Sequence, residues 1–195
     1  MDMTLHEWIG AIALALSFGG SVVYILSILK GQSKPHLYTW LVWSILPTIA
    51  FFAQIHDNAG PGAWVTGMTA LSCSVTTLLA LRYGEKNITR GDRWALAASL
   101  IAIVPWLITD DPFWSVILVA IIDTVAFIPT FRKSWHKPYE ENLSSYNLHS
   151  LKMTLSMFAL TNVTVITILY PLSFVAVNIV FTVFCFGRRL ALKHR

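Results

Sequence analysis

Apolar residues run along this chain in long, nearly unbroken stretches, and the polar residues gather between them. Runs near the length needed to cross about 30 Å of hydrocarbon fall at 8 to 29, 37 to 55, 62 to 82, 93 to 109, 112 to 131, 146 to 161 and 164 to 187. The pattern therefore predicts seven transmembrane helices. The sixth differs from the others, because Asn147, His149 and Lys152 lie in its first half, which predicts a helix facing protein or water on one side. The first run lacks the basic start and small-residue cleavage site of a signal peptide and reads as a retained span.

Composition agrees with that pattern. Of 195 residues, 55% are hydrophobic and 12% charged, eight are Trp, and the mean hydropathy is +0.62, a balance unlike that of soluble domains. Cys73 and Cys185 fall inside apolar runs, where a thiol acts as a small hydrophobe, and suggest no disulfide framework or zinc site. The formal net charge of +4 matters less than where the charges sit. With the amino terminus outside, the inner segments hold Lys30 and Lys34, then Arg82, Lys86, Arg90 and Arg93, then Arg132, Lys133, Lys137 and Lys152, then Arg188, Arg189, Lys193 and Arg195. The outer segments hold Asp2, Glu7, Asp57, Asp110 and Asp111. Every loop then obeys the positive-inside rule, which predicts an external amino terminus and a cytoplasmic carboxyl terminus in a cell (inner) membrane.

The chain also repeats itself. Lys34-Pro35 recurs 103 positions later as Lys137-Pro138, each preceded by a basic step, and Asn58 recurs 104 positions later as Asn162. Helices one to three then match five to seven in the same orientation, with helix four as connector. The expected fold is all-α: a three-helix bundle over 1–92, a connector helix over 93–111 and a second three-helix bundle over 112–195. Lys-Pro pairs also end membrane helices without any repeat, because basic residues mark the inner face and Pro follows helix ends.

The second copy, "IPTFRKSWHKPYEENLSSY", resembles the motif of PQ-loop and SWEET transporters: a late helical Pro, basic residues, a short polar turn and a Ser-rich next helix. Pro129 matches the motif's Pro, Thr130 stands where many members have Gln, and the first copy carries Leu26 where the repeat would place a Pro. The resemblance implies two three-helix bundles around a central solute path, opened alternately to either side about proline-weakened helices. It also implies a pocket Asn on helix seven. Receptors for peptide signals resemble SWEETs in architecture, and vitamin-precursor carriers of the nicotinamide riboside type share a related tryptophan-rich plan.

Several residues could serve such a path. Asp123 lies about eleven residues into its span, where a carboxylate costs at least ~2.5 kcal/mol. It could bind a cationic or hydroxylated solute, exchange a proton, or tie its helix to a neighbour. Asn178 stands near mid-membrane on helix seven, with Ser74 at the matching position of helix three and Ser72 beside it; all three could reach a solute or merely join helices. Trp43, one helical turn from Trp40, could stack on a solute. Asn147, on the sixth helix, is a further candidate binding residue. Pro47, Pro129 and Pro171 are candidate hinges or fixed kinks, and Pro105 shares their position within a span. Gly19-Gly20 would let a neighbour approach closely, with Gly20 opposite Asp123. Thr89 or Asp92 would cap helix four.

No catalytic constellation or metal-ligand spacing emerges from the six His. The expectation is a membrane transporter, not an enzyme, without a cofactor, moving a sugar, amino acid or vitamin precursor through a midplane pocket with Asp123 as a proton site. The alternative is a binding or sorting receptor on the same scaffold. Expected partners are the solute, the bilayer and protons, with no nucleic acid; a homo-oligomer is compatible with the sequence.

Overall fold

A computed structural model describes residues 3–84, 90–136, 138–140 and 143–193. Among these residues the chain is all-helical. The helices are α1 Leu5–Leu29, α2 Leu37–His56, α3 Trp64–Tyr83, α4 Arg90–Ile101, α5 Val104–Thr109, α6 Phe113–Ala126, α7 Ile128–His136, α8 Leu143–Phe158 and α9 Val165–Lys193, with short 3-10 helices at Gly60–Ala63 and Pro138–Glu140.

Local chemistry explains most of the boundaries. α1 begins with a capping box: Glu7 N–H donates to Thr4 Oγ1 at 3.3 Å, and Thr4 N–H donates to Glu7 Oε2 at 2.7 Å. The fourth and fifth apolar runs, expected as single helices, are each divided. Pro105 has no N–H for the carbonyl of Ile101, so α4 stops there and α5 restarts with Pro105 in its first turn. The displaced N–H of Trp106 donates instead to Ser115 Oγ of α6 at 3.2 Å. α6 ends at Ala126 and α7 restarts at Ile128, with Pro129 as its second residue. α7 then runs on to His136, so most of the basic cluster that the sequence places beyond the span is itself helical.

Four stretches are long and apolar enough to cross a bilayer: α1, α2, Gly60–Tyr83 and α9. Leu96–Thr109 and Phe113–Ala126 are shorter apolar helices. The burial pattern points the same way. Trp8, Phe18, Val23, Leu107, Ile108 and Val183 are exposed, whereas Ser17, Gln54, Asp123, Lys152, Thr167 and Asn178 are buried. A chain that turns apolar side chains outward and polar ones inward fits a hydrocarbon surround, where interior polar groups serve as helix-to-helix contacts.

Helix packing has an internal twofold pattern. α3 packs against both α1 and α2, and α9 packs against both α6 and α8. Between the two sets, α1 meets α8 and α2 meets α6, while α2 meets α9 and α3 meets α8. Exchanging α1 with α6, α2 with α8 and α3 with α9 turns each of these contacts into another. α4 lies against α2 and α6. The apolar core between the sets is made of Ala13, Val42, Leu46, Ile49, Val119, Met153, Tyr170 and Val175, among others.

The loops that end α2 and α8 also meet. Thr161 N–H and Oγ1 donate to the carbonyls of Ala59 and Asn58, each at 3.1 Å, and Asn162 Nδ2 donates to Asp57 O at 2.8 Å. Thr164 Oγ1 bonds the Asp57 carboxylate. Gly60, at φ +62°, sits where a Cβ would run into the Thr161 side chain, so both its backbone angle and its lack of a side chain are needed. Gly19 and Gly20 behave differently. Both are exposed, and an added Cβ at either would meet nothing within 4 Å, which overturns the expected close approach there. On α1 that role falls to Gly10, whose Cβ would lie 2.8 Å from Pro61 Cβ.

Candidate functional site

Charge in the interior marks the site. Asp123, on α6, retains 6% of its surface, and among the described residues its carboxylate has no hydrogen-bond or ion-pair partner. Lys152, on α8, is equally buried at 6% exposure, and its ammonium donates to Ser17 Oγ of α1 at 3.2 Å. The sequence places Lys152 among the cytoplasmic charges; the fold places it inside the bundle, because it follows about two and a half turns of α8 and faces α1. Cys73 of α3 lies within electrostatic reach of both Asp123 and Lys152, and Tyr170 of α9 within reach of Asp123. Asp123 and Lys152 form no ion pair with each other.

Ser17, Cys73, Asp123, Lys152 and Tyr170 are thus buried on five helices, and the bond from Lys152 to Ser17 crosses between the two helix sets. An unpaired carboxylate and an ammonium with one hydroxyl partner are costly there, since a buried charge is tolerated only when hydrogen-bonded or paired.

The other expected site residues are scattered. Asn178, on α9, is 1% exposed, and its Nδ2 donates to Phe174 O of its own helix at 2.7 Å. Ser72 and Ser74, on α3, donate to Thr69 O at 3.0 Å and Ala70 O at 2.8 Å. Ser74 also lines a groove of about 320 Å³ with Ser44 and Thr48 of α2 and Ser99 of α4. Trp43 is 39% exposed and meets Trp40 edge-on at 5.4 Å, and Trp40 in turn stacks on Tyr24 of α1 at 5.0 Å. Asn147, on α8, is exposed and accepts from Thr182 Oγ1 of α9 at 3.4 Å.

Pro47 and Pro171 are buried inside α2 and α9, which continue through them, so each lies within a helix, whereas Pro129 lies beside a helix break. Thr89 lies outside the described residues. Asp123 and Asn178 alone among the expected binding residues are buried in the interior. Sequence reasoning misses Ser17, Tyr170 and the interior role of Lys152. Lys152 carries the same signal as Asp123, an ionisable group well inside an apolar run. No protein-family model, curated protein or solved structure matches this chain.

Proposed function

We propose that this chain is a membrane transporter that moves a small polar solute by alternating access through a path between its two helix sets. The scaffold is of PQ-loop and SWEET type: seven spans arranged three, one and three, in a cell membrane, with the amino terminus outside. The carrying observation is Asp123, buried without a partner among the described residues where the two sets meet. A structural carboxylate at that depth would hold its neighbours by hydrogen bonds. The twofold pattern of helix contacts supports two halves that rock against each other.

Proton exchange at Asp123 supplies the coupling, in a setting shared with Lys152 on α8, Cys73 on α3 and Tyr170 on α9. The test is uptake of labelled solutes by proteoliposomes under an imposed pH gradient, with Asp123→Asn beside the wild type. Wild-type protein should show counterflow and gradient-driven uptake, and the variant should lose the gradient dependence. Binding without counterflow would assign the chain to a receptor on this scaffold instead.

A further inference from the structure

α7 lies along the final third of α9, joined to it by aromatic rings. Phe131 meets Phe184 at 5.2 Å, and Trp135, one turn further along α7, stacks on the same ring at 6.0 Å. The Arg188 guanidinium lies 4.0 Å from the centre of the Trp135 ring, and its Nε and Nη2 donate to the Trp135 carbonyl at 3.2 and 3.0 Å. Arg189 repeats the arrangement on the next turn of chain. Its Nε and Nη2 donate to Pro138 O at 3.0 and 2.9 Å, its guanidinium lies 5.3 Å from the Tyr139 ring, and the Tyr139 hydroxyl donates to Arg189 O at 3.1 Å.

A carbonyl oxygen and a ring face hold a guanidinium in place without cancelling its charge. Arg188 has no carboxylate partner among the described residues, and its two bonds leave part of its five-donor fork over. Lys193 follows Arg189 by one turn of α9 and is exposed, and α7 carries Arg132 and Lys133 in its sequence. Trp135 and Tyr139 are 50% and 64% exposed, and such rings, apolar with one polar edge, suit the headgroup level of a bilayer. Marking the inner face of a membrane asks only for charge. Fixed guanidiniums beside exposed interfacial rings do more, because the ordering that phosphate recognition requires is already done.

We propose that the corner between α7 and the end of α9 seats the headgroup of an acidic phospholipid, its phosphate on the Arg188 fork and the Trp135 and Tyr139 rings at headgroup level. On the proposed orientation this corner meets the inner leaflet, whose acidic lipids attract basic segments. The inference needs a bilayer around α9 but no solute path, so it stands or falls apart from the transport reading.

The experiment uses the purified full chain in a neutral detergent, with retained lipid counted by native mass spectrometry and affinity read from thermal unfolding. The probes are phosphatidylglycerol, phosphatidylcholine and inorganic phosphate. Wild-type protein should bind phosphatidylglycerol about tenfold or more tightly than phosphatidylcholine, and phosphate alone should leave the melting temperature unchanged. Arg188→Gln should lose about tenfold in affinity for phosphatidylglycerol, while Lys30→Gln, at another inner-face cation, should bind as the wild type does. Should Arg188→Gln not fold, Arg188→Lys keeps the charge without the fork and should weaken the lipid several-fold. The inference is overturned if the two lipids bind alike, if phosphate alone stabilises the protein as well as phosphatidylglycerol does, if Lys30→Gln loses as much as the Arg188 variant, or if the Arg188 variant binds like wild type.

Discussion

The side-chain amide of Gln54 donates to the carbonyl of Thr167 at 2.8 Å, the carbonyl that Pro171 leaves without a helical partner. Thr167 lies four residues before Pro171, so in an ordinary helix its oxygen would accept from the amide of residue 171, which proline lacks. Gln54 is 1% exposed and belongs to α2, so a defect in one helix set is repaired by a side chain of the other. The weakened turn of α9 is braced as it stands.

Removing that brace should be measurable. Gln54→Leu should destabilise the protein by about 1–2 kcal/mol, because a buried carbonyl loses its donor. Pro171→Ala restores the missing N–H, so in that background Gln54→Leu should cost less. Thermal or denaturant unfolding of the four proteins forms a double-mutant cycle, and strict additivity would refute the link.

Glycine substitutions should separate sharply by position. Gly60→Ala places a Cβ against Thr161 at a left-handed φ, and Gly10→Ala places one 2.8 Å from Pro61, so both should lower the melting temperature. Gly19→Ala and Gly20→Ala, with nothing within 4 Å, should be neutral or stabilise by about 0.5–1 kcal/mol through helix propensity. Destabilisation at Gly20 equal to that at Gly60 would contradict the packing.

At the far end of α9, Arg188 lies 4.0 Å from the ring centre of Trp135, and its Nε and Nη2 donate to the Trp135 carbonyl at 3.2 and 3.0 Å. This contact pins the end of α7. Lysine cannot reproduce a planar, two-pronged contact, so Arg188→Lys should weaken it by about 1 kcal/mol. Hydrogen exchange at 134–136 should accelerate, while exchange in the middle of α2 stays unchanged.

Orientation is open to a labelling test. Cys73 and Cys185 are buried, so the native thiols should give little background with a membrane-impermeant maleimide. Val163→Cys, at an exposed position before α9, should label on intact cells, and Lys193→Cys, at its end, only after lysis. The reverse pattern would invert the topology, and labelling of both on intact cells would mean that α9 does not cross.

Composition and local chemistry were enough, without any tertiary contact, to determine the helical and lipid-suited character of this chain. Long apolar runs bounded by charge required helices suited to lipid, and the all-helical chain with four stretches long enough to span agrees. The depth of Asp123 in its run was also visible, because an ionisable group in apolar surroundings stands out without any fold. Pro105 and Pro129 were visible as weak points, but their outcome was not: breaks stand beside Pro105 and Pro129, whereas α2 and α9 continue through Pro47 and Pro171, and in α9 Gln54 of another helix bonds the freed Thr167 carbonyl.

Tertiary structure alone decided the partners. The pairing of Lys152 with Ser17 spans 135 positions, and that of Gln54 with Thr167 spans 113. No local pattern encodes which faces of α1 and α8, or of α2 and α9, meet. For the same reason Gly20 faces open space while Gly10 carries the close contact, and Lys152, which reads as one more inner-surface charge, ends inside the bundle. Hydropathy fixes how far along a helix a residue lies; which way it faces is set by packing.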